Sequence, residues 1–362
     1  MERVYCIIFV FVFAAFLIIL PINMQNTVQD PSFITYMGIG SCDIRVDIQK
    51  GNNPETQKDA LLKHLQNDQD ISEYTVFQNG YIQVKNADGD WEYLRVSSGD
   101  ESAFPIQYLE GSAPNANPEL KKEIATSYME ARQLGMKVGD QITIKQGEVI
   151  ADYTLSGIYQ DVTYSGKTGK APLHFTQESS EGYVFYIKVK DGVAIEEKVK
   201  ELRQISRGGR VTPIEEFVQQ TLGGIIGNVG TVIIASTILS LFLIILITTM
   251  FLQLITAKEH SAIALKKSIG FTNWDIRLQF GIRIFVIQLA AIITGTILTN
   301  TLGEGLFSAL LSNFGAAQIQ MLRNPLLADV ICPVTQLVVC IITIIAATNI
   351  VKKYHIRDQI ME

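Results

Sequence analysis

Residue types that carry chemistry are few in this sequence, and their spacing builds neither a catalytic nor a metal site. No histidine stands four residues from another histidine or beside a cysteine pair, so the spacing of a zinc site is missing. No Gly-x-Ser-x-Gly turn is present to expose a nucleophilic serine. Paired acids such as Glu196 and Glu197 fit solvated helix positions. We therefore predict no catalytic residue, no metal site and no cofactor bound by this chain.

The segment Ser165-Gly166-Lys167-Thr168 has the ending of a phosphate-binding loop. That motif also requires a glycine five positions before the one that precedes the lysine, and this position holds Asp161. We therefore predict a flexible loop here and no nucleotide site.

Composition indicates a membrane protein with a large water-exposed region. Of the 362 residues, 48% are hydrophobic and only 18% are charged, whereas soluble proteins carry about 25% charged residues. Residues 25–224 hold 29 acidic and 20 basic side chains. This acidic balance argues against nucleic-acid binding, which needs clustered positive charge. Of the four cysteines, only Cys42 lies in this region, so an internal disulfide is excluded there.

Four apolar stretches are long enough to cross a bilayer as helices. They cover residues 4–22, 229–255 within the uncharged stretch 217–257, 284–302 and 330–351. The first could instead be a cleaved signal peptide. However, its apolar run is long for a signal core, and no small-x-small cleavage site follows Pro21. We therefore favour a retained anchor and expect four transmembrane helices.

The distribution of basic residues predicts the orientation, because Lys and Arg favour the cytoplasmic side of short loops. The loop between spans two and three and the tail after span four are basic: Lys258, Lys266, Lys267, Arg277, Lys352, Lys353 and Arg357. The opposing loop, 303–329, has only Arg323 as a basic residue. We therefore expect a cell-membrane protein with both termini cytoplasmic and residues 25–224 extracytoplasmic.

Alternating strand and helix patterns in the outer region predict an α+β domain inserted between transmembrane helices 1 and 2. Strands are predicted at 42–48, 81–84, 91–96, 141–145, 153–159 and 183–189, and helices at 54–67, 118–133 and 194–205. The two strands around Asp88-Gly89-Asp90 form a predicted hairpin, and Gly135 is predicted to end the second helix.

The segment returning to the membrane has two interpretations. Thr212 and Glu215 have the spacing of a capping box, with Pro213 at the first helical position. Helix can continue from there into span two, which would join domain and membrane by a stiff element. Alternatively, a surface helix ends at Gly223, Gly224 and Gly227.

The inner loop is expected to form a short amphipathic helix. Ala262, Leu265 and Ile269 recur on one helical face, and Gly270 suits a C-terminal cap. Thr272 and Asp275 offer a second capping pair before the helix into span three. Composition leaves open whether this helix docks a partner or only anchors to lipid headgroups.

A small-residue ridge on span three permits close helix packing or dimerisation, with packing against spans two or four of the same chain favoured. The ridge consists of Ala291, Gly295 and Thr299. No ionisable residue lies in the middle of a span, which disfavours an ion-coupled relay.

The inner loop resembles the FtsX-like permease signature, through Lys258-Glu259-His260 and then Ile263-Ala264-Leu265-Lys266-Lys267-Ser268-Ile269-Gly270-Phe271-Thr272. The outer region is similar to the extracytoplasmic core of MacB-type permeases, in residues 123–127, 134–144 and 155–159. Together with one span before the outer domain and three after it, the likeness covers essentially the whole chain.

This resemblance implies the membrane subunit of an ABC transporter of the mechanotransmission type. A separate cytoplasmic ABC ATPase, which binds ATP and Mg²⁺, would dock on the inner loop, and motion would pass along the second helix to the outer domain. The implied ATPase-coupling residues are Lys258, Glu259, Ala262, Leu265, Lys266, Ile269 and Gly270. The substrate would be a peptide, lipoprotein or hydrophobic drug.

Relatives usually carry an amphipathic helix before span one, whereas three residues precede it here. Either the start is truncated, or a second polypeptide completes the permease; we favour a second permease subunit, in a homo- or heterodimer within the lipid bilayer. The alternative function is a membrane-anchored regulator or receptor whose outer domain senses a peptide or activates a cell-wall hydrolase. An outward-facing enzyme ranks third.

The expected organisation assigns every segment a place relative to the membrane. It comprises transmembrane helix 1 at 4–22, the MacB-like domain at 25–212, stalk and transmembrane helix 2 at 213–257, the cytoplasmic coupling helix at 258–276, transmembrane helix 3 at 277–302, the outer loop at 303–329, transmembrane helix 4 at 330–351 and a cytoplasmic tail at 352–362.

Overall fold

The computed structural model describes residues 2–51, 53–86, 88–115, 117, 121–161, 163–206, 208–312 and 318–350. It divides into a helical unit, formed by residues 1–29, 226–307 and 320–362, and an α/β unit, formed by residues 30–225 and 308–319. The predicted tail at 352–362 and the helix start at 118–120 lie outside the described residues.

The α/β unit combines short helices with a ten-stranded mixed sheet. Its helices are α2 (Pro31–Tyr36), α3 (Pro54–Asn67), α4 (Tyr128–Leu134) and α5 (Ile195–Ile205). Its strands are β1 (Ile44–Gln49), β2 (Ile71–Lys85), β3 (Trp91–Ser98), β4 (Tyr108–Gly111), β5 (Glu123–Ser127), β6 (Gln141–Gln146), β7 (Val149–Tyr159), β8 (Thr168–Lys170), β9 (Ser180–Val189) and β10 (Arg210–Pro213).

Strand order in the sheet is β10-β1-β9-β2-β3-β8-β5-β7-β4, and β6 pairs with β2 and β7. Pairing is antiparallel except between β3 and β8 and between β5 and β7. The hairpin prediction is confirmed, because β2 and β3 pair from Lys85–Trp91 through Gln78–Ser98.

Apolar side chains alternate along the strands and bury one face of the sheet under helices. Leu61 of α3 and Leu202 of α5 pack with Ile44, Val46 and Ile48 of β1. On the neighbouring strands, Leu134 of α4 packs against residues of β2, β3, β5 and β6. This burial of one face per strand is what the alternating sequence predicted.

The helix predicted over 118–133 is wrong in its first part. Residues 123–127 form β5, which lies between β7 and β8 in the sheet. Ile124 and Ala125 are buried there, so tertiary packing overrides local helix propensity. The helix begins only at Tyr128, where the Ser127 hydroxyl accepts from the Glu130 amide at 3.2 Å. Its predicted end is confirmed, because Gly135 has a left-handed φ of 68°.

The helical unit contains long apolar helices and a short connecting helix. These are α1 (Glu2–Gln29), α6 (Ile214–Lys258, whose first turns belong to the α/β unit), α7 (His260–Ser268), α8 (Asn273–Ser312) and α9 (Cys332–Ile350), the last preceded by a π-helical turn at Leu327–Ile331. Within the described residues, four stretches are long and apolar enough to cross a membrane: Ile7–Gln29, Ile226–Lys258, Asn273–Ser312 and Leu327–Ala347.

Helix α1 continues past residue 22, where we predicted its end, because its polar last turns find partners. The Thr27 hydroxyl donates to the Asn23 carbonyl at 2.8 Å and accepts from the Leu322 amide at 2.9 Å. The Asn26 side chain donates to the Leu322 carbonyl at 3.0 Å. These bonds satisfy groups that an apolar environment would leave unpaired.

Candidate functional site

The segment joining α6 to α8 has the capping geometry that the sequence predicts. Gly270 adopts a φ of 103°, which favours glycine, and ends the turn after α7. The Asp275 carboxylate accepts from the Thr272 amide at 2.8 Å, and the Thr272 hydroxyl accepts from the Asp275 amide at 3.2 Å. This reciprocal pair is a capping box at the start of α8.

The predicted coupling face of α7 is exposed. Leu265 is 63% exposed and Ile269 is 70% exposed, and Ala262 beside them is also exposed. Phe271 and Trp274, which follow shortly in the sequence, are also exposed. Burying such exposed apolar side chains against a partner or lipid is favourable.

One side of α7 is fixed to the rest of the helical unit. Ile263 is buried in the core with Phe280 and Ile284 of α8. Lys266 donates to the Gln279 side chain at 2.8 Å, and Glu259 forms an ion pair of 2.8 Å with Arg283. Contacts to α8 therefore hold the segment while Lys258 and the apolar face remain exposed.

The small-residue ridge of α8 packs within the chain, but against a helix that we did not predict. A Cβ added to Gly295 would lie 2.6 Å from the Ala15 Cβ and 3.0 Å from the Val12 carbonyl oxygen. Ala291 and Thr299 of the ridge are fully buried. Gly295 of the ridge therefore packs against α1 within the same chain, a contact that we did not predict.

Helix α6 is unbroken from Ile214 to Lys258, which confirms the continuous-helix interpretation. The predicted cap is displaced by one residue, because Pro213 ends strand β10 and pairs with Ile44 of β1. In the first turns of α6, the Phe217 ring stacks on the Arg45 guanidinium, whose central carbon lies 4.1 Å from the ring centroid. The start of this helix is thereby fixed to the sheet.

One group of potential metal ligands is present among the described residues, formed by His64, Asp68 and Glu201. The Lys198 ammonium lies among them, 3.0 Å from Asp68 and 2.8 Å from Glu201. The cluster is therefore an ion-pair network around a lysine. Our histidine search missed it because two of its members are acids, one of them distant in sequence.

The Ser165–Thr168 segment is structured, contrary to the flexible loop we predicted. Residues Thr163–Gly166 form a turn in which Tyr164 and Ser165 have positive φ, and Thr168 begins β8. Lys167 forms an ion pair of 3.1 Å with Glu92. Pairing of β8 with β3 and β5 fixes this segment, which a local motif could not reveal.

Comparison with known proteins supports the resemblance in the C-terminal part. The periplasmic region of MacB from Actinobacillus actinomycetemcomitans is 11% identical, with a TM-score of 0.35, over 51% of this chain and 94% of that one. A domain of a permease protein from Porphyromonas gingivalis is 15% identical, with a TM-score of 0.30, over 48% and 89%. No curated protein matches the sequence. Residues 232–356 match the sequence model of the FtsX-like permease C-terminal domain.

Proposed function

We propose that this protein is the non-catalytic permease subunit of an ABC transporter. The observation that carries the proposal is the family match over residues 232–356, which contains α7, α8, α9 and most of α6. Four apolar helices of membrane-spanning length fit a multi-pass subunit. The described residues of the basic loop around α7 include Lys258, Lys266 and Lys267, which favours a cytoplasmic location for that loop.

In this proposal, a cytoplasmic ABC ATPase that binds ATP and Mg²⁺ docks on the exposed face of α7. The apolar centre of the contact is formed by Ala262, Leu265 and Ile269, and Lys258, Glu259 and Lys266 supply its charged margin. Such a contact buries exposed apolar surface on both partners, which is the main favourable term in association. Gly270 permits the sharp turn that separates this helix from α8.

In mechanotransmission, helix α6 would carry the motion caused by the ATPase to the α/β unit. A single hydrogen-bonded helix of 45 residues extends about 67 Å at 1.5 Å per residue, so displacement at one end reaches the other. Phe217 and Arg45 attach its first turns to the sheet. The extracytoplasmic α/β unit would then export or release a peptide, lipoprotein or hydrophobic drug, working as a dimer with a second permease subunit.

The test is ATP turnover by the cognate ATPase, reconstituted with this protein in lipid nanodiscs. We expect Leu265→Asp to reduce the permease-dependent turnover at least tenfold, because it places a charge at the centre of the apolar face. Ala264→Asp is the matched control, since it adds the same charge at an exposed position about 100° around the helix from Leu265 and off the face of Ala262, Leu265 and Ile269. Failure of the ATPase to co-purify, or equal turnover with both variants, would contradict the proposal.

A further inference from the structure

The second face of the sheet in the α/β unit carries half-buried charged groups, whereas the first face carries the core. Arg45 and Asp47 alternate with the core residues of β1, and Arg95 and Lys170 lie on the same side of β3 and β8. These four side chains line a cavity of about 260 Å³. A cavity bordered by charged side chains is unusual in a structural sheet, because burying charge costs free energy unless a partner compensates it.

Carboxylates pair with three of the cations at this cavity: Asp47 with Arg45, Glu181 with Arg95 and Glu101 with Lys170, at 2.5–2.6 Å. Its lining within the described residues holds four cations, Arg45, Arg95, Lys170 and Arg210, and two carboxylates, Asp47 and Asp161. Burial raises the pKa of the Asp161 carboxyl above its usual value, although hydrogen bonds from Thr163 and Thr168 oppose that rise.

The two guanidinium groups are oriented by acids but keep free donors. Asp47 accepts from Arg45 at 2.6 Å, and Glu181 accepts from the Arg95 Nε at 2.6 Å. Arg45 Nη1 reaches only the Tyr186 hydroxyl, at 3.4 Å, and the Arg95 terminal nitrogens have no acceptor among the described residues. Each arginine therefore retains N–H groups that can bind a ligand, because a guanidinium carries five.

Aromatic rings fix the planes of both guanidinium groups. Tyr164 stacks on Arg95 and Phe217 stacks on Arg45, each 4.1 Å from ring centroid to guanidinium carbon. Tyr164 and the following Ser165 have φ values of 49° and 55°, a left-handed conformation that is strained for non-glycine residues and is concentrated at binding sites. Backbone strain is thus present at Tyr164, the residue whose ring stacks on Arg95.

We propose that this cavity binds a small organic oxyanion, a carboxylate or a phosphate group, through the unpaired N–H groups of Arg45 and Arg95. A planar guanidinium fork matches the two oxygens of such a group. The volume is close to the lower end of about 300–1,000 Å³ for ligand pockets, which fits a small molecule or head-group fragment. Phe217 and Thr221 of α6 line the same cavity. A ligand bound in this cavity would therefore contact the first turns of α6. Any effect of that contact on transport rests on the proposed function.

The experiment measures the thermal midpoint of the full-length protein in detergent micelles at constant ionic strength. N-acetylglycine, inorganic phosphate and glycerol 3-phosphate are titrated separately, which distinguishes a carboxylate, a free phosphate and a lipid head-group source. We expect the thermal midpoint to rise to saturation with at least one of these compounds, and to reach half of that rise at or below about 1 mM. We also expect slower hydrogen exchange in residues 214–222 on binding.

Arg95→Gln is expected to raise the half-saturating concentration at least tenfold, whereas Arg132→Gln, an exposed arginine of α4 outside the cavity, leaves it unchanged. Arg95→Lys keeps the charge opposite Glu181 but removes the fork. It should raise that concentration at least threefold with an unaltered circular dichroism spectrum, even if Arg95→Gln does not fold. Absence of saturation with all three probes, or equal binding by Arg95→Lys and wild type, would overturn the site. No ATPase or ATP is present, so this outcome is independent of the Leu265→Asp test.

Discussion

At the scale of single residues, the buried charges of the α/β unit are compensated to different degrees. The side chain of Lys198 is 5% exposed and contacts Asp68, Asp70 and Glu201 at 2.8–3.0 Å. Glu130 is almost fully buried, and within the described residues both its carboxylate oxygens have no hydrogen-bond partner. Lys198 and its carboxylates therefore stabilise the fold only while they are charged. The Glu130 side chain is compatible with the fold only while its carboxyl is protonated and uncharged.

Lys198→Met should lower the free energy of unfolding by about 2–3 kcal/mol at pH 7, since three carboxylates lose their shared cation. Burial opposes ionisation of Asp68, but the Asp70 amide and the Lys198 ammonium hold its pKa below the usual 3.8. The stabilisation is thus present above that value and disappears as pH falls through the lowered folded-state pKa. Chemical denaturation of the full-length protein measures the free energy of unfolding, and Lys200→Met, at an exposed lysine, is the control. An equal loss of unfolding free energy in both variants would contradict the prediction.

Glu130→Gln should stabilise the protein by about 2 kcal/mol at pH 8 and have little effect at pH 4. Burial raises the pKa of Glu130 to about 7, with Lys167 lowering it and Glu92 raising it further. Wild-type stability is therefore complete below the unfolded-state value of about 4.5 and falls as pH rises through 7. Unfolding curves of wild type and variant across this range test the prediction. Glu148→Gln, at an exposed carboxylate, should follow the wild type throughout.

At the scale of elements, close approach of α8 to α1 depends on the absence of a side chain at Gly295. A Cβ there would meet the Ala15 Cβ at 2.6 Å, well inside ordinary contact distance. By contrast, Gly305 on the same helix has open space around its Cβ position. Comparing the same substitution at these two glycines therefore distinguishes its effect on packing from its effect on helix propensity.

Gly295→Ala should lower the thermal midpoint in micelles by several degrees, because overpacking costs about 1–3 kcal/mol. Gly305→Ala should leave the midpoint unchanged or raise it slightly, since alanine favours a helix by about 1 kcal/mol over glycine. Equal midpoints for the two variants would show that α1 and α8 are not in close contact.

Continuity of α6 is the second element-scale feature with a measurable consequence. Gly227 lies in the helix with open space around its Cβ position. Gly227→Ala should preserve ATPase stimulation, whereas Gly227→Pro removes a helix hydrogen bond and kinks the helix. We expect the proline variant to reduce substrate movement at least tenfold while the ATPase still co-purifies. Unimpaired movement would exclude α6 as the transmitting element.

At the scale of the whole molecule, the proposed function requires the α/β unit and α7 on opposite sides of the membrane. In a cysteine-free background, Glu148→Cys should react with a membrane-impermeant maleimide in intact cells. Ser268→Cys should react only after permeabilisation. Both side chains are exposed, so accessibility of the protein surface does not limit labelling. Labelling of Ser268→Cys in intact cells, or protection of Glu148→Cys, would reverse the orientation.

Much of the local structure could be predicted because local signals determine it. Helix α3 begins at Pro54 and ends at Asn67, as its apolar stripe and first-turn proline indicate. Gly135 and Gly270 end their turns with positive φ because a left-handed backbone selects glycine. Residues 123–127 were wrongly assigned, since their strand state depends on β7 and β8, which lie elsewhere in the sequence.

The sequence by itself determined the apolar stretches, the sheet hairpin, the caps around α7 and the family resemblance, since each is written in neighbouring residues. Only the tertiary structure decided that Gly295 packs on α1, that Lys198 gathers three acids, and that Arg45 and Arg95 border one cavity. The reason is physical: these groups lie up to hundreds of positions apart, and they meet only when strand pairing and helix packing fix the chain.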